Sequence, residues 1–360
     1  MNRLSYLGLF AGSLLGVCMS LGAAQAQSPT KVHIAGPAPV LSATDSVIWY
    51  AIPTTMGYYK EENLDVSYNL SAGLTASLQA VQTGSSPVGV TNPELVMQTR
   101  EQGGSVIAFF TMRRAGGVAV AVLPDSPIKT LADLKGKTIG GVSWGGGGAL
   151  YLTKVLADLK IGMGDYSRVV TGNGAAAAAA LRSGQVDAVT LWDSAFATIE
   201  NAGVKMRYID ITGQEKLGSN VFTTTDAYLK ANPETLAKFC RAVAKSYYFA
   251  RTNPEAATKI FLDVNPTMKA PTQSAEAALR DNLHIFKAYL DGATNNMSID
   301  GRMGEFDAEV WNFTQAFYKL SGMLKSDQPA SASYTTQFLD KCNDFDRAKV
   351  AAAAKQYGAK

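Results

Sequence analysis

The sequence predicts an α/β protein with two lobes, each built on a doubly wound mixed sheet flanked by helices. Between residues 31 and 112, short apolar runs alternate with segments of helical periodicity, which is the pattern of a doubly wound sheet. Gly116-Gly117 interrupts this series, and a second series of the same kind begins at residue 118. Long amphipathic segments, with apolar residues three and four positions apart, follow residue 232.

Length and composition allow this architecture and argue against some functions. The 360 residues are enough for one large domain or two ordinary domains with sizeable cores. The chain is 47% hydrophobic and 18% charged, which is typical of globular proteins. The net charge is only +3, and no stripe of Lys and Arg is interleaved with aromatic residues. We therefore expect no nucleic-acid partner.

The N-terminus has the pattern of a secretory signal peptide. Arg3 gives a positive start, residues 4–21 form a mostly apolar segment, and 24–26 (Ala-Gln-Ala) fit a small-x-small cleavage site. We expect cleavage after Ala26 and a periplasmic location for the mature protein. Cys18 raises the alternative of a lipoprotein anchor, although the residue before it is Val rather than a small one.

Two cysteines, Cys240 and Cys342, remain after the predicted cleavage. An oxidising compartment permits a disulfide between them. Two buried free thiols are the alternative, because unpaired Cys is commonly buried. The sequence leaves both alternatives open, since pairing depends on a Cα separation below about 7 Å.

The first lobe is predicted to begin with the strand KVHIAG at 31–36, with Val32 and Ile34 on one face and His33 on the other. Further strands are expected at 64–68, 87–91 and 105–112, and helices at 46–56, 74–84 and 92–102. The strand at 105–112, SVIAFFTM, is continuously apolar, which is typical of parallel sheets.

The second lobe and the return to the first follow the same logic. Strands are predicted near 118–123, 138–142, 168–171, 187–191 and 206–210, with a short helix at 131–134, a helix at 149–159 and an alanine-rich helix at 175–181. The chain is expected to return to the first lobe near 219–222. Long helices are then predicted at 233–251, 254–262, 272–290 and 307–320, followed by a loop at 326–333 and terminal helices.

Several of these segments together resemble a known family. DSPIKTLADLKGKTIGGVSWGGGGALYLTKVLADLKI at 125–161, LRSGQVDAVTLWDSAF at 181–196 and GYYKEENLDVSYNLSAG at 57–73 are similar to the nitrate/sulfonate/taurine-type solute-binding proteins of ABC importers. This alkanesulfonate-binding and thiamine-pyrimidine-synthase-like superfamily has the two-lobed type II periplasmic binding protein fold. The resemblance extends over roughly residues 30 to 325.

The resemblance implies a domain division, a function and a partner. It places a first lobe at 27–117 and 221–325, a second lobe at 118–220, and a C-terminal loop with terminal helices at 326–360. It implies that the protein captures a small organic solute of the sulfonate, carboxylate or aromatic class between its lobes. The protein would deliver that solute to an ABC permease in the cytoplasmic membrane. We expect a monomer without a cofactor or a metal.

The predicted ligand contacts lie where strands end and helices begin, or at the return crossover. They are Ser42, Ala43, Thr44, Asp45, Gly73, Thr91, Asn92, Trp144, Gly145, Gly146, Gly147, Trp192, Asp193 and Asn220. The first four follow from the resemblance, in which the first strand-to-helix loop lines the cleft; the alternative is plain helix capping. The glycines after Trp144 open a helix whose bare N–H groups suit an anionic or carbonyl-bearing ligand.

Three side chains near the predicted crossing points have open roles. Asp193 could accept a hydrogen bond from the solute or cap the helix that follows it. Arg113 or Arg114 could hold a sulfonate or carboxylate in bidentate fashion, or form a solvated or inter-lobe salt bridge.

Two other function classes remain as alternatives. One is a receptor that reports solute occupancy to a membrane sensor without transport. The other is an enzyme on the same fold, which we do not expect. The sequence has no Cys-x-x-Cys, H-E-x-x-H or G-x-S-x-G motif, and neither His33 nor His284 has a plausible nucleophile or metal ligand nearby in sequence.

Overall fold

The computed structural model describes residues 28–114, 116–294 and 301–357. The predicted signal peptide therefore lies outside the described residues. Within those ranges, no helix combines the length and the apolar character that crossing a membrane requires.

Ten strands form two mixed sheets of five strands each in the described part of the chain. The strands are β1 (Thr30–Gly36), β2 (Leu64–Leu70), β3 (Val88–Thr91), β4 (Val106–Thr111), β5 (Val118–Val122), β6 (Thr138–Gly141), β7 (Ser167–Val170), β8 (Ala188–Trp192), β9 (Arg207–Asp210) and β10 (Val221–Thr225). The first sheet has the order β2-β1-β3-β10-β4, and the second has the order β7-β6-β8-β5-β9. We refer to the two sheets with their flanking helices as lobe 1 and lobe 2.

The helices flank these sheets and dominate the last third of the chain. They are α1 (Ile52–Thr55), α2 (Tyr58–Glu61), α3 (Leu74–Gln82), α4 (Pro93–Glu101), α5 (Gly147–Asp158), α6 (Gly174–Arg182), α7 (Asp193–Asn201), α8 (Asp226–Ala231), α9 (Pro233–Thr252), α10 (Pro254–Val264), α11 (Ala275–Ala293), α12 (Ala308–Leu320), α13 (Leu339–Cys342) and α14 (Arg347–Gln356). The predicted long helices and the alanine-rich helix are confirmed, with ends that shift by a few residues.

Two details of lobe 1 differ from the sequence predictions. The segment from Ser46 was expected to be one helix, but it begins as a π-helical turn (Val47–Ala51) and continues as the short α1. The apolar strand β4 was interpreted as a parallel-sheet strand. It is instead an edge strand that pairs antiparallel with β10. It is apolar because its side chains are buried in two apolar clusters, with Phe109 and Phe110 in one and Val106 and Ala108 in the other. The residues around Tyr334 cover its outer edge.

The chain crosses between the sheets twice, and the two crossing segments lie side by side. It passes from β4 to β5 and returns from β9 to β10. The carbonyl oxygen of Asn220 accepts hydrogen bonds from the backbone N–H groups of Met112 (2.9 Å) and Arg113 (3.0 Å). Gly117 on the first crossing has φ +61°, and an added Cβ would overlap the carboxylate of Asp193. A glycine is therefore required there for both conformation and space.

Two long helices span the lobes on either side of the crossings. From α11, the backbone oxygen of Asp281 accepts from Nδ2 of Asn201 on α7 (2.8 Å), and His284 pairs with Oδ1 of the same Asn201 (2.9 Å). From α12, Phe317 packs its ring 5.1 Å from that of Tyr151 on α5. One buried apolar cluster accordingly contains residues of both sheets and of α12.

A disulfide joins Cys240 on α9 to Cys342 on α13, with a Cα–Cα distance of 5.1 Å. The structure thus decides between the two alternatives that the sequence left open. The bond closes a loop of about one hundred residues onto lobe 1, which restricts the unfolded chain more strongly than a short loop would.

Candidate functional site

The carboxyl ends of the strands of both sheets meet at one seam between the lobes. The first turn of α5, which follows β6 of lobe 2, lies against Glu94 of α4, which follows β3 of lobe 1. At the end of β4, Arg113 reaches Asp193 at the end of β8. This seam is the candidate site, because ligands of open α/β sheets bind beyond the carboxyl ends of the strands.

Arg113 and Asp193 form an ion pair across the seam. Only 4% of the arginine side chain is exposed, and its guanidinium lies 5.5 Å from the ring centre of Tyr289. Asp193, the first residue of α7, also accepts from the backbone N–H of Ser194 (2.7 Å), so it is held at the start of that helix while it bridges the lobes. Burial raises the pKa of Asp193, while the charge of Arg113 opposes that shift. Arg114 pairs separately with Glu305 (2.8 Å).

A second contact across the seam involves the turn of glycines at the start of α5. A Cβ built on Gly147 would overlap the hydroxyl oxygen of Tyr318 and lie 3.8 Å from Oε1 of Glu94. Glu94 accepts hydrogen bonds from Nδ2 of Asn92 (3.2 Å) and from the Tyr318 side chain. Burial raises the pKa of Glu94 to about 7, against the lowering effect of those hydrogen bonds. Gly146 is the N-cap residue of α5, and no side-chain hydrogen bond caps this helix start.

The loop after β1 is held by its own hydrogen bonds. The hydroxyls of Ser42 and Thr44 are 2.7 Å apart, and Thr44 donates to Asp45 (2.9 Å). Nε1 of Trp49 donates to the other carboxylate oxygen of Asp45 (2.9 Å). Burial raises the pKa of Asp45 in spite of these bonds. Ala43 is buried in the core of lobe 1.

Trp144 lies on lobe 2 and packs mainly against that lobe. Its Nε1 donates weakly to the backbone oxygen of Val169 (3.4 Å), and the guanidinium of Arg168 lies 5.8 Å from its ring centre. Gly145 and Gly146 beside it are exposed. Trp192 is half-buried against the apolar cluster between the lobe 2 sheet and its helices. Gly73 is half-buried at the start of α3.

Buried polar atoms without a hydrogen-bond partner gather along this seam and at the crossings. In the described ranges they include Thr91 Oγ1, Asn92 Oδ1, Thr111 Oγ1, Thr190 Oγ1 and Gln214 Nε2. The first three lie at the ends of β3 and β4, Thr190 lies near the end of β8, and Gln214 faces Gly116 on the first crossing. Most buried polar atoms in proteins are paired, so each such atom marks a position where a ligand or a water molecule is expected.

The outer end of the seam is apolar and exposed. Leu70 and Val170 end β2 and β7, Val142 directly follows β6, and Val40 lies in the loop after β1. Val40 is 67% and Val170 is 69% exposed, and strands β2 and β7 are the edges of their sheets farthest from the crossings. We call these four residues the mouth.

The ligand contacts predicted from the sequence do not include Glu94, Thr190 or Tyr318. Glu94 resembles an ordinary acidic residue in the first turn of a helix, and Tyr318 belongs to the apolar stripe of α12. Thr190 lies inside a buried strand. The only available signal for Glu94 was its position two residues after the predicted contact Asn92, at the start of a helix. Among the described residues, no three His, Cys, Asp or Glu side chains gather as metal ligands.

Comparison with known proteins gives the family. A family model described as NMT1/THI5 like matches residues 47–257, which is more than half of the chain. The chain belongs to the NMT1/THI5-like family.

Members and relatives of the NMT1/THI5-like family match over most of their length. The riboflavin-binding protein RibY of Chloroflexus aurantiacus is 22% identical over 294 residues, covering 81% of both chains. The formylaminopyrimidine-binding protein of Halalkalibacterium halodurans is 25% identical over 276 residues, covering 75% of this chain and 79% of the other. A 4-amino-5-hydroxymethyl-2-methylpyrimidine phosphate synthase of Aspergillus parasiticus is 25% identical over 324 residues, covering 83% and 87%.

Solved structures share the fold of this family member. The periplasmic aliphatic sulphonate binding protein SsuA of Escherichia coli superposes with a TM-score of 0.63 at 17% identity, covering 85% of this chain and 92% of the other. The desulfurization enzyme DSZB superposes with a TM-score of 0.56 at 15% identity, covering 86% and 98%. The two-lobed periplasmic binding protein fold predicted from the sequence is thereby confirmed.

Proposed function

We propose that this chain is the extracytoplasmic solute-binding protein of an ABC importer. It captures a small organic solute in the seam between its lobes and presents the closed form to a membrane permease. The observation that carries this proposal is the set of unpartnered polar atoms on both lobes at one seam, chiefly those of Asn92 and Thr190. The names of the relatives, most of which are binding proteins, support it.

The energetic argument rests on the cost of unpaired polar groups. A buried hydroxyl or amide oxygen without a hydrogen bond costs about 1–3 kcal/mol. A solute that supplies the missing partners on lobe 1 and lobe 2 at once binds the closed arrangement more tightly than the open one. The closed state then dominates the population, and a permease can distinguish it from the empty protein.

The lobe division and the ligand contacts predicted from the sequence become part of this proposal. Residues 27–117 and 221–325 form lobe 1, residues 118–220 form lobe 2, and residues 326–360 close the fold of lobe 1. The solute contacts the strand ends at Thr91, Asn92 and Trp192, and the loops around them. Asp45 and Asn220 are not primary contacts of the solute in this proposal. They maintain the shape of the site through their hydrogen bonds within the protein.

The proposal also covers location and chemistry. The mature protein acts as a periplasmic monomer after cleavage behind Ala26, and it binds its solute without transforming it. The exposed mouth favours an organic solute over a bare inorganic anion such as nitrate, because covering apolar side chains contributes about 25 cal/mol for each Å² removed from water.

The test is a binding screen with a chemical check. The full chain is expressed with its leader and purified from the periplasm, and its melting temperature is measured against a panel of pyrimidines, flavins, sulfonates and carboxylates. A solute at one hundred times its Kd should stabilise the fold by about 2.7 kcal/mol. Mass spectrometry of the released solute should show it unchanged. A panel that leaves the melting temperature constant, or a solute that returns as a product, would contradict the proposal.

A further inference from the structure

Two features of the seam that would attract an anion already face carboxyl groups of the protein itself. One is the guanidinium of Arg113, and the other is the uncapped first turn of α5 at Gly147. We propose that the seam selects neutral solutes that carry N–H or O–H donors and rejects sulfonates and carboxylates. Asp193 and Glu94 would be the residues that determine this specificity. The inference rests on the proposed function and adds the class of solute to it.

The side chain of Arg113 already has its binding partners within the protein. Its guanidinium pairs with Asp193, its side chain is 4% exposed, and one face lies over the ring of Tyr289. A sulfonate would have to displace Asp193, whose other oxygen is held by the N–H of Ser194. That displacement would leave a second buried carboxylate beside the incoming anion, so the exchange is unfavourable.

The start of α5 also faces a carboxyl group of the protein, and that group belongs to the opposite lobe. No side chain caps Gly146, and the carboxyl group of Glu94 lies beside the next residue, Gly147. The positive end of the helix dipole therefore faces Glu94 across the seam. An anion placed at this turn would lie within a few ångströms of that carboxylate, and the two like charges would repel each other.

The unpaired atoms on the seam are mainly acceptors or hydroxyls. Nδ2 of Asn92 donates to Glu94, and this contact orients the amide so that Oδ1 is the atom left without a partner. The hydroxyl oxygens of Thr91 and Thr190 are buried and unpaired on the two lobes. An amide oxygen can only accept, and a hydroxyl can accept as well as donate. A solute with N–H or O–H groups satisfies all three atoms.

The experiment uses matched solutes that differ in charge. Calorimetric titrations at pH 8 compare riboflavin with riboflavin 5′-phosphate, benzamide with benzenesulfonate, and 4-aminopyrimidine with pyrimidine-4-carboxylate. We expect the neutral member to bind at least tenfold more tightly wherever a pair binds. A pair whose anionic member binds more tightly overturns the inference and leaves the proposed function intact. If no member of any pair binds, the proposed function itself is contradicted and the inference fails with it.

Variants test the two carboxyl groups directly. Glu94→Gln and Asp193→Asn keep the shape of each side chain but remove its charge and replace one accepting oxygen with an NH2 donor. Each should improve binding of the anionic member at least fivefold relative to its neutral partner. Asp226→Asn is the matched control, because Asp226 pairs with Arg100 (3.0 Å) beside the start of β4, at the other end of that strand from Arg113. If the ratio of anionic to neutral affinity is the same in all three variants, the inference is overturned. If Asp193→Asn does not fold, the comparison of Glu94→Gln with Asp226→Asn is a sufficient test.

Discussion

The inner part of the seam and its mouth both lie near the ends of strands but differ in chemistry. Near the crossings, charged groups pair across the lobes, as Arg113 does with Asp193. At the mouth, Val40 and Val170 are apolar and mostly exposed. The inner part therefore offers charged groups held in fixed orientations, whereas the mouth offers exposed apolar side chains. Under the proposed function, we therefore expect the inner part to determine selectivity and the mouth to add affinity without discrimination.

The largest expected effect is on the inner ion pair. Asp193→Ala leaves the guanidinium of Arg113 buried without its carboxylate, and breaking a buried pair costs about 3–5 kcal/mol. Asp226→Ala removes the partner of Arg100 in a more exposed pair and should cost less than about 1 kcal/mol. Urea unfolding of both variants measures the difference. Equal losses would show that the inner pair is no more important than a surface pair.

The next effect is the pH dependence that Glu94 introduces. Burial raises its pKa from the ordinary value of 4.5 to about 7 in the folded protein, so the folded state binds more protons than the unfolded state between these pH values. Stability should therefore fall as the pH rises from about 4.5 to 7, by up to about 3 kcal/mol. Glu94→Gln should remove this part of the decline. The measurement is the free energy of unfolding of both proteins from pH 5 to pH 8.

The same experiment separates Glu94 from its acidic neighbours. Burial also raises the pKa values of Asp45 and Asp193, and these shifts act in the same direction. They remain in the Glu94→Gln variant, so the difference between the two curves isolates Glu94. If the free energy of unfolding depends on pH in the same way in both proteins, the carboxyl group of Glu94 is not buried between the lobes.

A third prediction concerns the contact between the lobes at the start of α5. Gly147→Ala introduces a methyl group that would overlap the hydroxyl of Tyr318, whereas a Cβ on Gly146 comes no closer than 3.9 Å to a neighbouring atom. Overpacking of this kind costs roughly 1–3 kcal/mol. We expect Gly147→Ala to hold the lobes apart, increasing the radius of gyration in X-ray scattering. Gly146→Ala should leave that radius unchanged, and a matching increase in both variants would contradict the contact.

The smallest expected effect is at the mouth. Val142→Ser and Val170→Ser should each weaken solute binding about fivefold, because each loses roughly 1 kcal/mol of apolar burial on closure. Both members of a charge-matched solute pair should weaken equally. Leu159→Ser, at an exposed apolar position just past the end of α5, is the control and should not alter affinity. If a mouth variant changes the ratio of the affinities for the two members of a pair, the mouth contributes to selectivity and this prediction is wrong.

The sequence predicted the strands and long helices because their signals are local. Apolar runs, glycines and helical periodicity are readable within about fifteen residues, so the strand at 138–142 and the helix at 233–251 were found close to their observed positions. The pairing of β4 was misread, because its neighbours in the sheet, β10 and the residues around Tyr334, lie more than one hundred positions away in the sequence.

The inner seam could be predicted only in part, since its chemistry arises from long-range contacts. Thr91, Asn92 and Asp193 were proposed because each lies at the end of a predicted strand or just after it. That Glu94 faces Gly147, and that Arg113 faces Asp193, depends on how two sheets are placed against each other, which no local pattern encodes. The disulfide between Cys240 and Cys342 could not be decided for the same reason.

The most direct test of the account is a crystal structure of the full-length mature protein with the tightest-binding solute of the panel. The account predicts electron density between the two lobes, with a donor atom of the solute within about 3.2 Å of Asn92 Oδ1 and a second polar contact to Thr190. Solute density outside the seam, or a solute held by an anionic group on Arg113, would contradict it.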